Sequence, residues 1–556
     1  MAHWIDRAKC LCCHNCALEC PVGAIVYMGT GYSVRTSVCI DCGLCARVCN
    51  VGAAQPKSGA AAPAPHAPQS LEADIVVLGA GAAGIVAAAR AAQLSHARVL
   101  VLEKAKKYGG SGWFAGFMAP AEPGRSAMPP IFEQAQQTLR ERGVDPGIID
   151  LAKNTPYEFF QWLRALDPRV DEYWVRMPSP FGADTYDLPE RKLFNLKCTD
   201  KAIGPGRSTS VMEKIVTDHF AELCVDIRYE HEATAIRLDA SGAVCGVSAK
   251  NPGGTVEISC RAVICATGGF AHNDEMLRKY APHFFGEPGS EPTHRFAAPT
   301  NTGDIVALGQ SAGAYLDYDN FFANVFGPVH HPFGFCLFQY GLQPEIIQVN
   351  ARGERFFDES KFGGGAGAIT HQPGRIAWAI FDSRVKSEIA DRLSHGPDAA
   401  LFPDIDAEFT AEEKLDTPVK TADTIEHLAA ELGIASAALR GTVERYNRFC
   451  AQGRDEDFGK RPETLRPISE GPFYAVYGKV ATDGAFGGVL VNANTEVFRA
   501  DQSGVIPGLY AAGDNAAGWA RRAGEGEERL MVCNECNWAI SSGFAAGKAA
   551  ASYCGA

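Results

Sequence analysis

The feature that most constrains this chain is a cysteine motif that occurs twice within its first 50 residues. The motif C-x2-C-x2-C-x3-C is formed first by Cys10, Cys13, Cys16 and Cys20, and then by Cys39, Cys42, Cys45 and Cys49. Three thiolates on one tight loop can bind three irons of a cubane, whereas the fourth cysteine points to the neighbouring cluster. We therefore assign one [4Fe-4S] cluster to Cys10, Cys13, Cys16 and Cys49, and a second to Cys39, Cys42, Cys45 and Cys20.

A zinc-binding module is the alternative interpretation of these cysteines. Zinc sites usually offer four ligands in two pairs, however, rather than two runs of four. Nine of the 19 cysteines lie in the first 50 residues, and Cys12 is outside both motifs. In a chain without an export signal, such a concentration indicates metal binding rather than disulfides.

Residues 1–50 resemble a bacterial-type two-cluster ferredoxin, whose symmetric halves the repeated motif mirrors. The resemblance implies a small α+β domain that relays electrons one at a time. Asn50 stands where the second motif would usually have its proline. The following segment, 51–72, is rich in alanine and proline, a composition that favours an extended tether over packed structure. We interpret it as a linker.

Length, charge and hydropathy limit the classes of protein to which this chain can belong. A chain of 556 residues, 46% hydrophobic and 21% charged, should form about three or four compact units. Its formal net charge of −13 argues against nucleic acid as a partner. The longest apolar stretch, 75–89, is too short to span a bilayer, and the first residues show no export signal. We therefore expect no membrane span and a cytoplasmic location.

A nucleotide-binding unit follows the linker. An apolar run over 73–78 predicts a strand, Gly79-x-Gly81-x-x-Gly84 opens an alanine-rich helix to about Leu94, and a second strand precedes Glu103. The glycines allow close approach of a pyrophosphate to the helix N-terminus, and the acid can accept a bond from a ribose hydroxyl. Far along the chain, 504–514 predicts a strand ending in Gly-Asp, which places a carboxylate for a ribityl hydroxyl and favours FAD.

Short motifs distributed from residue 103 onward make the resemblance more specific. They are Glu103-Lys104, Gly109-Gly110-Ser111, Ala266-Thr267-Gly268-Gly269-Phe270, Tyr280-Ala281-Pro282, Thr302-Gly303-Asp304, Gly353-Glu354-Arg355-Phe356, Gly487-Gly488 and 508–514. Together they resemble the flavoprotein family of fumarate reductase, succinate dehydrogenase and 3-ketosteroid dehydrogenase, over nearly all of 71–556. The resemblance implies an α/β fold, in which a Rossmann-like FAD-binding domain (71–324 and 476–556) is interrupted by an α+β capping domain (325–475).

The same resemblance implies which residues contact the cofactor. The candidates are Gly79, Gly81, Ala82, Ala83, Gly84, Glu103, Lys104, Gly110, Ser111, Ala266, Thr267, Gly268, Asp304, Gly513 and Asp514. Membrane-bound members of the family attach FAD to a histidine near the Gly-Gly segment. Residues 108–118 contain no histidine, so we predict that FAD is bound without a covalent link.

Most of the residues that dicarboxylate reductases of this family use are missing. A Glu-x-x-Arg pair would fall near 338–341, which reads Phe-Gln-Tyr-Gly, and a late histidine would fall near Gly484. No arginine that could serve as proton donor follows Arg355-Phe356 over 357–365. A substrate with two carboxylates would lose most of its charge-assisted hydrogen bonds here. We therefore exclude fumarate and succinate as substrates.

Aromatic residues are frequent where those polar residues would stand. They are Trp113, Phe114, Phe117, Phe321, Phe322, Phe326, Phe333, Phe335, Phe338 and Tyr340. Such side chains line sites for flat or bulky apolar ligands, although each of them could instead pack in a core. Candidates for substrate contact or proton transfer are Tyr340, Lys361, His330 and His331, because a phenol, an ammonium or an imidazole near a flavin could perform that step.

Arg529, in Glu528-Arg529-Leu530, resembles the family's substrate arginine and is the fifth catalytic candidate. It belongs to a run of arginines and glutamates over 521–529, for which a solvated, salt-bridged loop is the alternative. Cys533-x-x-Cys536 has no partner pair, so we interpret both cysteines as free thiols.

The sequence therefore predicts an iron–sulfur flavoenzyme. Electrons would pass from an external one-electron donor, such as a ferredoxin or an NAD(P)H-oxidising partner, through two [4Fe-4S] clusters to FAD. The expected substrate is a small unsaturated molecule, a ring, aryl or heteroaromatic enoate or enone. The alternatives are a dehydrogenase of 3-ketosteroid type that exports electrons through the clusters, and a relay subunit without its own substrate. The sequence leaves the oligomeric state open.

Overall fold

A computed structural model of the chain describes most residues from 69 onward and part of the N-terminal segment. The described residues are 3–6, 9–10, 16, 20, 24–27, 32–36, 39, 43–47, 49, 52–56, 69–114, 130–168, 170, 174–176, 194–196, 208–287, 290, 293–295, 297–330, 340–341, 343–360, 365–395, 409–410, 419–522 and 529–555.

The described residues form 26 strands and 12 α-helices. The strands are β1 (His3–Ile5), β2 (Ile25–Tyr27), β3 (Tyr32–Val34), β4 (Ala54–Pro56), β5 (Gln69–Glu72), β6 (Ile75–Leu78), β7 (Val99–Glu103), β8 (Trp174–Arg176), β9 (Phe194–Leu196), β10 (Val225–Tyr229), β11 (Glu232–Leu238), β12 (Val244–Asn251), β13 (Gly254–Ser259), β14 (Ala262–Cys265), β15 (His294–Arg295), β16 (Phe322–His330), β17 (Ile347–Val349), β18 (Ile376–Asp382), β19 (Val419–Ala422), β20 (Phe473–Phe486), β21 (Val489–Leu490), β22 (Glu496–Phe498), β23 (Val505–Ala511), β24 (Ala516–Ala517), β25 (Ala520–Arg522) and β26 (Arg529–Met531). The helices are α1 (Leu44–Arg47), α2 (Ala82–Leu94), α3 (Pro130–Glu141), α4 (Pro146–Leu166), α5 (Ser208–Asp218), α6 (Asp274–Tyr280), α7 (Ile305–Ser311), α8 (Gly365–Thr370), α9 (Ser383–His395), α10 (Ile425–Glu431), α11 (Ser436–Gln452) and α12 (Glu535–Gly555). Short 3-10 turns include Gly110–Phe114, Tyr318–Asn320 and Gly513–Asn515.

The N-terminal segment contains two short antiparallel pairs, β1 with β4 and β2 with β3. Their apolar side chains share one small core with cysteines. Strand β4 lies within the predicted linker 51–72, and β5, at the other end of that linker, pairs in parallel with β13. Both ends of the linker are therefore hydrogen-bonded strands, and its middle, 57–68, lies outside the described residues.

A parallel sheet forms the centre of the nucleotide-binding unit. In the described residues its strand order is β10-β7-β6-β14-β23-β22, with β22 antiparallel to β23 at one edge. Strand β6, helix α2 and strand β7 reproduce the predicted strand-helix-strand unit and end at Glu103. Strand β6 is fully buried, and α2 buries nine of its residues, because the run of small and branched side chains packs on the sheet and on α12. An antiparallel layer of β11, β12 and β13, extended by β5, covers one side.

The segment between the two halves of this unit forms a second sheet around the long strand β20. Strands β18, β16 and β19 pair antiparallel with β20, and β17 continues the sheet beyond β18. Helices α9, α10 and α11 pack their apolar residues against it. The predicted boundaries at 324/325 and 475/476 fall inside β16 and β20, so hydrogen bonding runs across both positions.

An ion network is buried behind this second sheet. Arg355 donates to Glu359 (Nη2 to Oε2 2.7 Å) and to Asp455 (Nη2 to Oδ2 3.0 Å), and all three side chains are at most 4% exposed. Burial alone would raise the pKa of Glu359, but the charges of Lys460 and Arg355 lower it. Each charge here depends on its partners, because water does not reach it.

We expect Arg355→Met to lower the free energy of unfolding by about 3 kcal/mol, since it leaves Asp455 buried without its arginine and Glu359 with only Lys460, 3.6 Å away. Arg445→Met is the matched control: Arg445 pairs with Asp457 but is 53% exposed, and its loss should cost less than about 1 kcal/mol. Urea unfolding measures both values. Equal losses in the two variants would show that the buried network contributes no more than a surface pair.

Candidate active site

One pocket lies where the parallel strands β6, β7, β14 and β23 end and where helices α2 and α12 begin. The empty space in and in front of it, including the part that is open to solvent, is about 1040 Å³. Fourteen of the fifteen predicted cofactor residues line it, which are Gly79, Gly81, Ala82, Ala83, Glu103, Lys104, Gly110, Ser111, Ala266, Thr267, Gly268, Asp304, Gly513 and Asp514. Gly84, the fifteenth, lies one turn into α2, where a Cβ atom would overlap the Gly79 carbonyl oxygen. The structure thus brings residues from distant parts of the chain to one site.

The glycine turn leaves room for a phosphate group. Gly79 has φ +102°, and a Cβ atom there would overlap the carbonyl of Ala266. A Cβ atom on Gly81, in contrast, would have no protein atom within 4 Å. Gly81 precedes the first residue of α2 and no side chain caps that helix, so its first N–H groups face the pocket. This cradle fits the pyrophosphate of a dinucleotide.

Glu103 ends β7 and is hydrogen-bonded to the turn. Its carboxylate accepts from the N–H of Ala80 (2.8 Å) and from the N–H of Ala105 (2.7 Å), and burial raises its pKa. A carboxylate has further lone pairs, so the predicted bond to a ribose hydroxyl remains possible in this geometry. His231 and Ala233, which the sequence did not point to, line the same end of the pocket. They follow β10, which pairs in parallel with β7. Residues that follow the neighbouring parallel strand are expected at the same edge of the sheet, so this pairing could have pointed to them.

Lys104 and Asp304 form an ion pair in the pocket wall. The Lys104 Nζ atom lies 2.6 Å from Asp304 Oδ2 and 2.7 Å from Thr302 Oγ1, and Thr302 in turn donates to Asp304. The pair joins the strand-helix-strand unit to the segment that begins α7. It therefore fixes the position of one wall relative to the glycine turn.

Asp514 lies beside the start of α12. Its Oδ2 atom accepts from the N–H of Gly269 at 3.1 Å. Burial of the carboxyl group and the negative charge of Glu535 raise the pKa of Asp514 to about 7. The neighbouring Asn515 is fully buried and accepts from Thr267, which holds the two loops together. Asn515 was not predicted from the sequence, although it directly follows the Gly-Asp motif.

The raised pKa of Asp514 predicts a pH-dependent stability for the flavin-free protein. The folded protein keeps this proton up to about pH 7, whereas the unfolded chain loses it near 3.8, so stability falls as the pH rises between these values. Between about pH 5 and about pH 8, the free energy of unfolding of the wild type should fall by about 1–3 kcal/mol more than that of Asp514→Asn. Urea unfolding of both proteins at the two pH values tests it. Identical pH slopes would contradict an elevated pKa.

The predicted catalytic residues are not brought together by the described part of the chain. Tyr340 is fully buried among the apolar side chains of the second sheet, stacks on Phe381 at 5.5 Å, and donates to the carbonyl of Lys386. That packing does not place its hydroxyl in the pocket. His330 ends β16 and Arg529 begins β26, opposite Arg522 in the pairing register. Neither side chain is described, and His331 and Lys361 lie outside the described residues.

The predicted aromatic residues whose side chains the structure describes, Phe321, Phe322 and Tyr340, all pack in apolar cores. Phe321 and Phe322 pack in apolar cores, as the alternative interpretation allowed, and the other predicted aromatic side chains except Tyr340 lie outside the described residues. Phe486 was not among the predicted residues, yet it lines the pocket and packs against Phe322 (5.2 Å between ring centroids) and Trp519 (5.9 Å). Cys536 also lines the pocket, and neither Cys533 nor Cys536 is in a disulfide.

A separate group of cysteines lies in the N-terminal core. Cys16, Cys45 and Cys49 are buried there, Cys10 and Cys20 pack against them, and these five and Cys39 are outside any disulfide. The fourth cysteine of each motif accepts a hydrogen bond from an N–H group four residues later: Cys20 from Ala24 (3.2 Å) and Cys49 from Ala53 (3.1 Å). Cys13 and Cys42 lie outside the described residues. Within the described residues, no group of three histidine, cysteine or acidic side chains is close enough together to bind a metal ion.

The parallel sheet, the glycine turn and the pocket at its carboxyl edge define a dinucleotide-binding protein. The sequence pattern of the family described as "FAD binding domain" matches residues 74–526, so the chain belongs to this family. The match begins after the N-terminal cysteine segment. The family match supports FAD as the molecule that the pocket binds. The glycine turn and the two acids of the pocket, Glu103 and Asp514, agree with it.

Two characterised relatives match most of the chain. It is 29% identical to a vinyl phenol reductase of Lactiplantibacillus plantarum over 517 residues, which cover 86% of this chain and 96% of the relative. It is 27% identical to a fumarate reductase (cytochrome) of Shewanella frigidimarina over 506 residues, which cover 89% of this chain and 79% of the relative. The structure of the open conformation of a flavocytochrome c3 fumarate reductase superposes with a TM-score of 0.65 at 22% identity, covering 87% of this chain and 79% of the other, and has the same fold.

No helix within the described ranges is both long enough and apolar enough to cross a membrane.

Proposed function

We propose that this protein is an iron–sulfur flavoenzyme that reduces a C=C bond conjugated with a carbonyl or carboxylate, in a ring, aryl or heteroaromatic substrate. The reaction type is supported by the two reductases to which the chain is similar, since vinyl phenol and fumarate both contain a C=C bond. FAD, when bound, supplies a hydride to one carbon of such a bond. The residues of the chain must then bind the substrate and deliver a proton to the neighbouring carbon.

The observation that carries the substrate class is the environment of Gly484. Dicarboxylate reductases of the resembled family hold a histidine near this point of the chain. A Cβ atom on Gly484 would lie only 2.5 Å from Cζ of Phe486, so the phenylalanine occupies the space that a larger side chain would need. Phe486 itself lines the pocket. An apolar ring in place of a cationic or polar clamp favours an aromatic substrate over a dicarboxylate.

The proton donor is proposed among residues whose side chains the structure does not describe. His330, His331 and Lys361 are the candidates for proton transfer, and Arg529 is the candidate for binding a single carboxylate or carbonyl of the substrate. Strand β25, which pairs with the strand that Arg529 begins, is fixed through Arg521, whose Nη1 atom lies 3.3 Å from Asp317 Oδ2. This ion pair would hold the strand pair, and hence the backbone of Arg529, against the segment that contains Asp317.

The electron supply is proposed to run through two [4Fe-4S] clusters held by the eight cysteines of the two motifs. Soft thiolates gathered in one small core fit the preference of iron–sulfur clusters, and N–H groups directed at sulfur are a known way to tune their potential. Cys20 accepts one such bond, and Cys49 accepts two, from Ala53 and Ala54. An external one-electron donor, a ferredoxin or an NAD(P)H-oxidising partner, would deliver electrons to this segment.

The proposal is tested by reducing the purified protein chemically without oxygen and then following reoxidation of the flavin. Enones, cinnamate-like acids, hydroxylated N-heteroaromatic acids and 3-ketosteroids are added separately, with fumarate as the control. Rapid reoxidation by one of the aromatic or ring classes is expected. Reoxidation by fumarate alone would overturn the substrate class. Reduction of the oxidised protein by saturated partners would indicate a dehydrogenase, and silence in both directions would indicate an electron relay.

A further inference from the structure

Helix α5 carries a carboxyl group on its buried face. The side chain of Glu213 is fully buried, and its neighbours Met212, Ile215 and Val216 belong to the apolar core that α5 shares with α2. Neither carboxyl oxygen of Glu213 has a hydrogen-bond partner among the described residues. Burial raises the pKa of this group well above its usual range. The folded protein therefore holds it in the neutral, protonated form, because an unpaired carboxylate would be costly there.

Charged groups of both signs face Glu213. The titratable residues around it are Lys107, Glu103 and Tyr108. Lys107 favours the ionised form of Glu213, whereas the charge of Glu103 opposes it. On α5 itself, Lys214 is paired at 2.7 Å with Asp218 near the surface. The residues of α2 in the shared core are apolar, and β9, which also packs against α5, contains no titratable residue. Ionisation of Glu213 would therefore require movement, either of Lys107 towards it or of α5 towards water.

The loop that follows β7 connects α5 to the flavin pocket. The Tyr108 hydroxyl is hydrogen-bonded to Thr217, which lies one turn after Glu213 on α5. The next residue of the loop, Gly109, pairs with Gly81 in the glycine turn. Residues of the 3-10 turn that follows the loop line the pocket. The loop is thus held by α5 at one point and by the glycine turn at the next.

We propose that Glu213 is a positioning residue that makes the retention of FAD depend on pH. While its carboxyl group is protonated, α5 stays packed against the loop and the glycine turn keeps its shape. When the carboxyl group loses its proton to water, α5 and the loop separate, and the turn no longer fits the pyrophosphate. FAD binding then takes up one proton, so the affinity falls up to about 10-fold per pH unit above the pKa of Glu213 in the flavin-free protein. This inference rests on FAD binding and on neither the proposed substrate nor the clusters.

The first test compares the wild type with Glu213→Gln, whose side chain is equal in size and cannot ionise. Full-length protein is stripped of flavin and titrated with FAD from about pH 6 to about pH 9, and binding is followed by quenching of flavin fluorescence. Over this range the affinity of the wild type should fall at least about 10-fold more than that of the variant. Asp514 titrates in both proteins, so the comparison does not depend on it. Parallel pH profiles would show that Glu213 has only a structural role and would overturn the inference.

Glu222→Gln is the matched control. Glu222 lies shortly after α5, its side chain is 77% exposed, and it pairs with His219 at 3.1 Å. This variant should keep the wild-type pH profile. If it flattens the profile as much as Glu213→Gln does, the titration of Glu213 is not the cause and the inference is wrong. Glu213→Leu replaces the glutamine variant if glutamine prevents folding. A wild type that binds no FAD at any pH would instead refute the FAD site itself.

The second test locates the movement by hydrogen exchange and mass spectrometry of the flavin-free protein. Exchange is measured at about pH 6 and about pH 9 and corrected for the intrinsic rate at each pH. The protection of α5 and of the loop 104–109 should fall at least about 10-fold more in the wild type than in Glu213→Gln, whereas the protection of α11 should change equally in both. An unchanged α5 in the wild type, or an equal loss over the whole chain, would contradict a local release.

Discussion

Cys45→Ala is expected to lower the iron content from about eight to about four atoms per chain, because Cys45 is a predicted ligand of only one of the two clusters. Electron transfer from a protein donor to the flavin should be lost, since the pathway then lacks one of its two centres. Direct chemical reduction of the flavin should continue, because the FAD pocket is formed by other segments of the chain. Iron analysis and anaerobic flavin reduction with both kinds of reductant measure these effects.

The control for this prediction is Cys12→Ala, which removes the cysteine that stands outside both motifs and should leave the iron content unchanged. Cys45 is itself buried in the N-terminal core, so circular dichroism should establish that the variant is folded. Full iron in folded Cys45→Ala, or an equal loss in both variants, would refute the ligand assignment. Zinc in place of iron in the wild type would refute the clusters themselves.

Gly81→Val should abolish FAD binding without unfolding the protein. The backbone of Gly81 is extended (φ −82°, ψ −178°), a conformation open to any residue, and its Cβ atom would meet no protein atom within 4 Å. The side chain would instead fill the space in front of α2 where the pyrophosphate is expected. We expect affinity to fall at least about 1000-fold, equivalent to about 4 kcal/mol. The flavin absorbance of the purified protein, relative to its protein absorbance, measures the loss.

The matched control for Gly81→Val is Gly441→Val. Gly441 is exposed on α11, a Cβ atom there also has nothing within 4 Å, and valine is at least as favourable as glycine in a helix. Flavin content should therefore be unchanged in the control. Gly79→Val would not distinguish the two effects, because its side chain would collide with the backbone of Ala266. Normal flavin content in Gly81→Val would mean that the pyrophosphate lies elsewhere.

The nucleotide-binding unit could be predicted from the sequence because its signals are local. The strand β6, the three glycines, the helix α2 and Glu103 follow one another within a short segment, and their spacing alone determines the turn. The Gly-Asp motif after β23 is equally local. Fourteen of the fifteen residues chosen from these motifs and from the family resemblance line the pocket, and their individual roles stay predictions.

The other parts of the pocket could not be predicted because they depend on which segments meet in space. His231 and Asn515 were not predicted, and their significance comes from the neighbouring strand and from the hydrogen bonds of Thr267 to Asn515. Tyr340 illustrates the opposite problem. From the sequence, its aromatic ring is compatible with a binding site or with a core. Its stacking on Phe381 in the structure shows that it belongs to the core.

The strands of the N-terminal segment were also beyond the reach of sequence patterns. Strands β1 and β4 contain three residues each, too few for an alternating pattern, and they pair across about 50 residues of chain. Alanine and proline in the region of β4 favoured a tether instead. The cysteine spacing predicts metal ligands, but it does not predict which short segments around them pair as strands.

Helix α12 packs along α2, so closely that Cβ atoms on Gly543 and Gly547 would meet the carbonyls of Ala83 and Ala87. This contact has a consequence for biosynthesis. The ribosome makes β6 and α2 early, but β23, Gly513 and α12 only after the whole second sheet. The N-terminal segment can fold while translation continues. The flavin site cannot exist until more than 400 further residues have emerged after α2, so FAD can be bound only once α12 has been made.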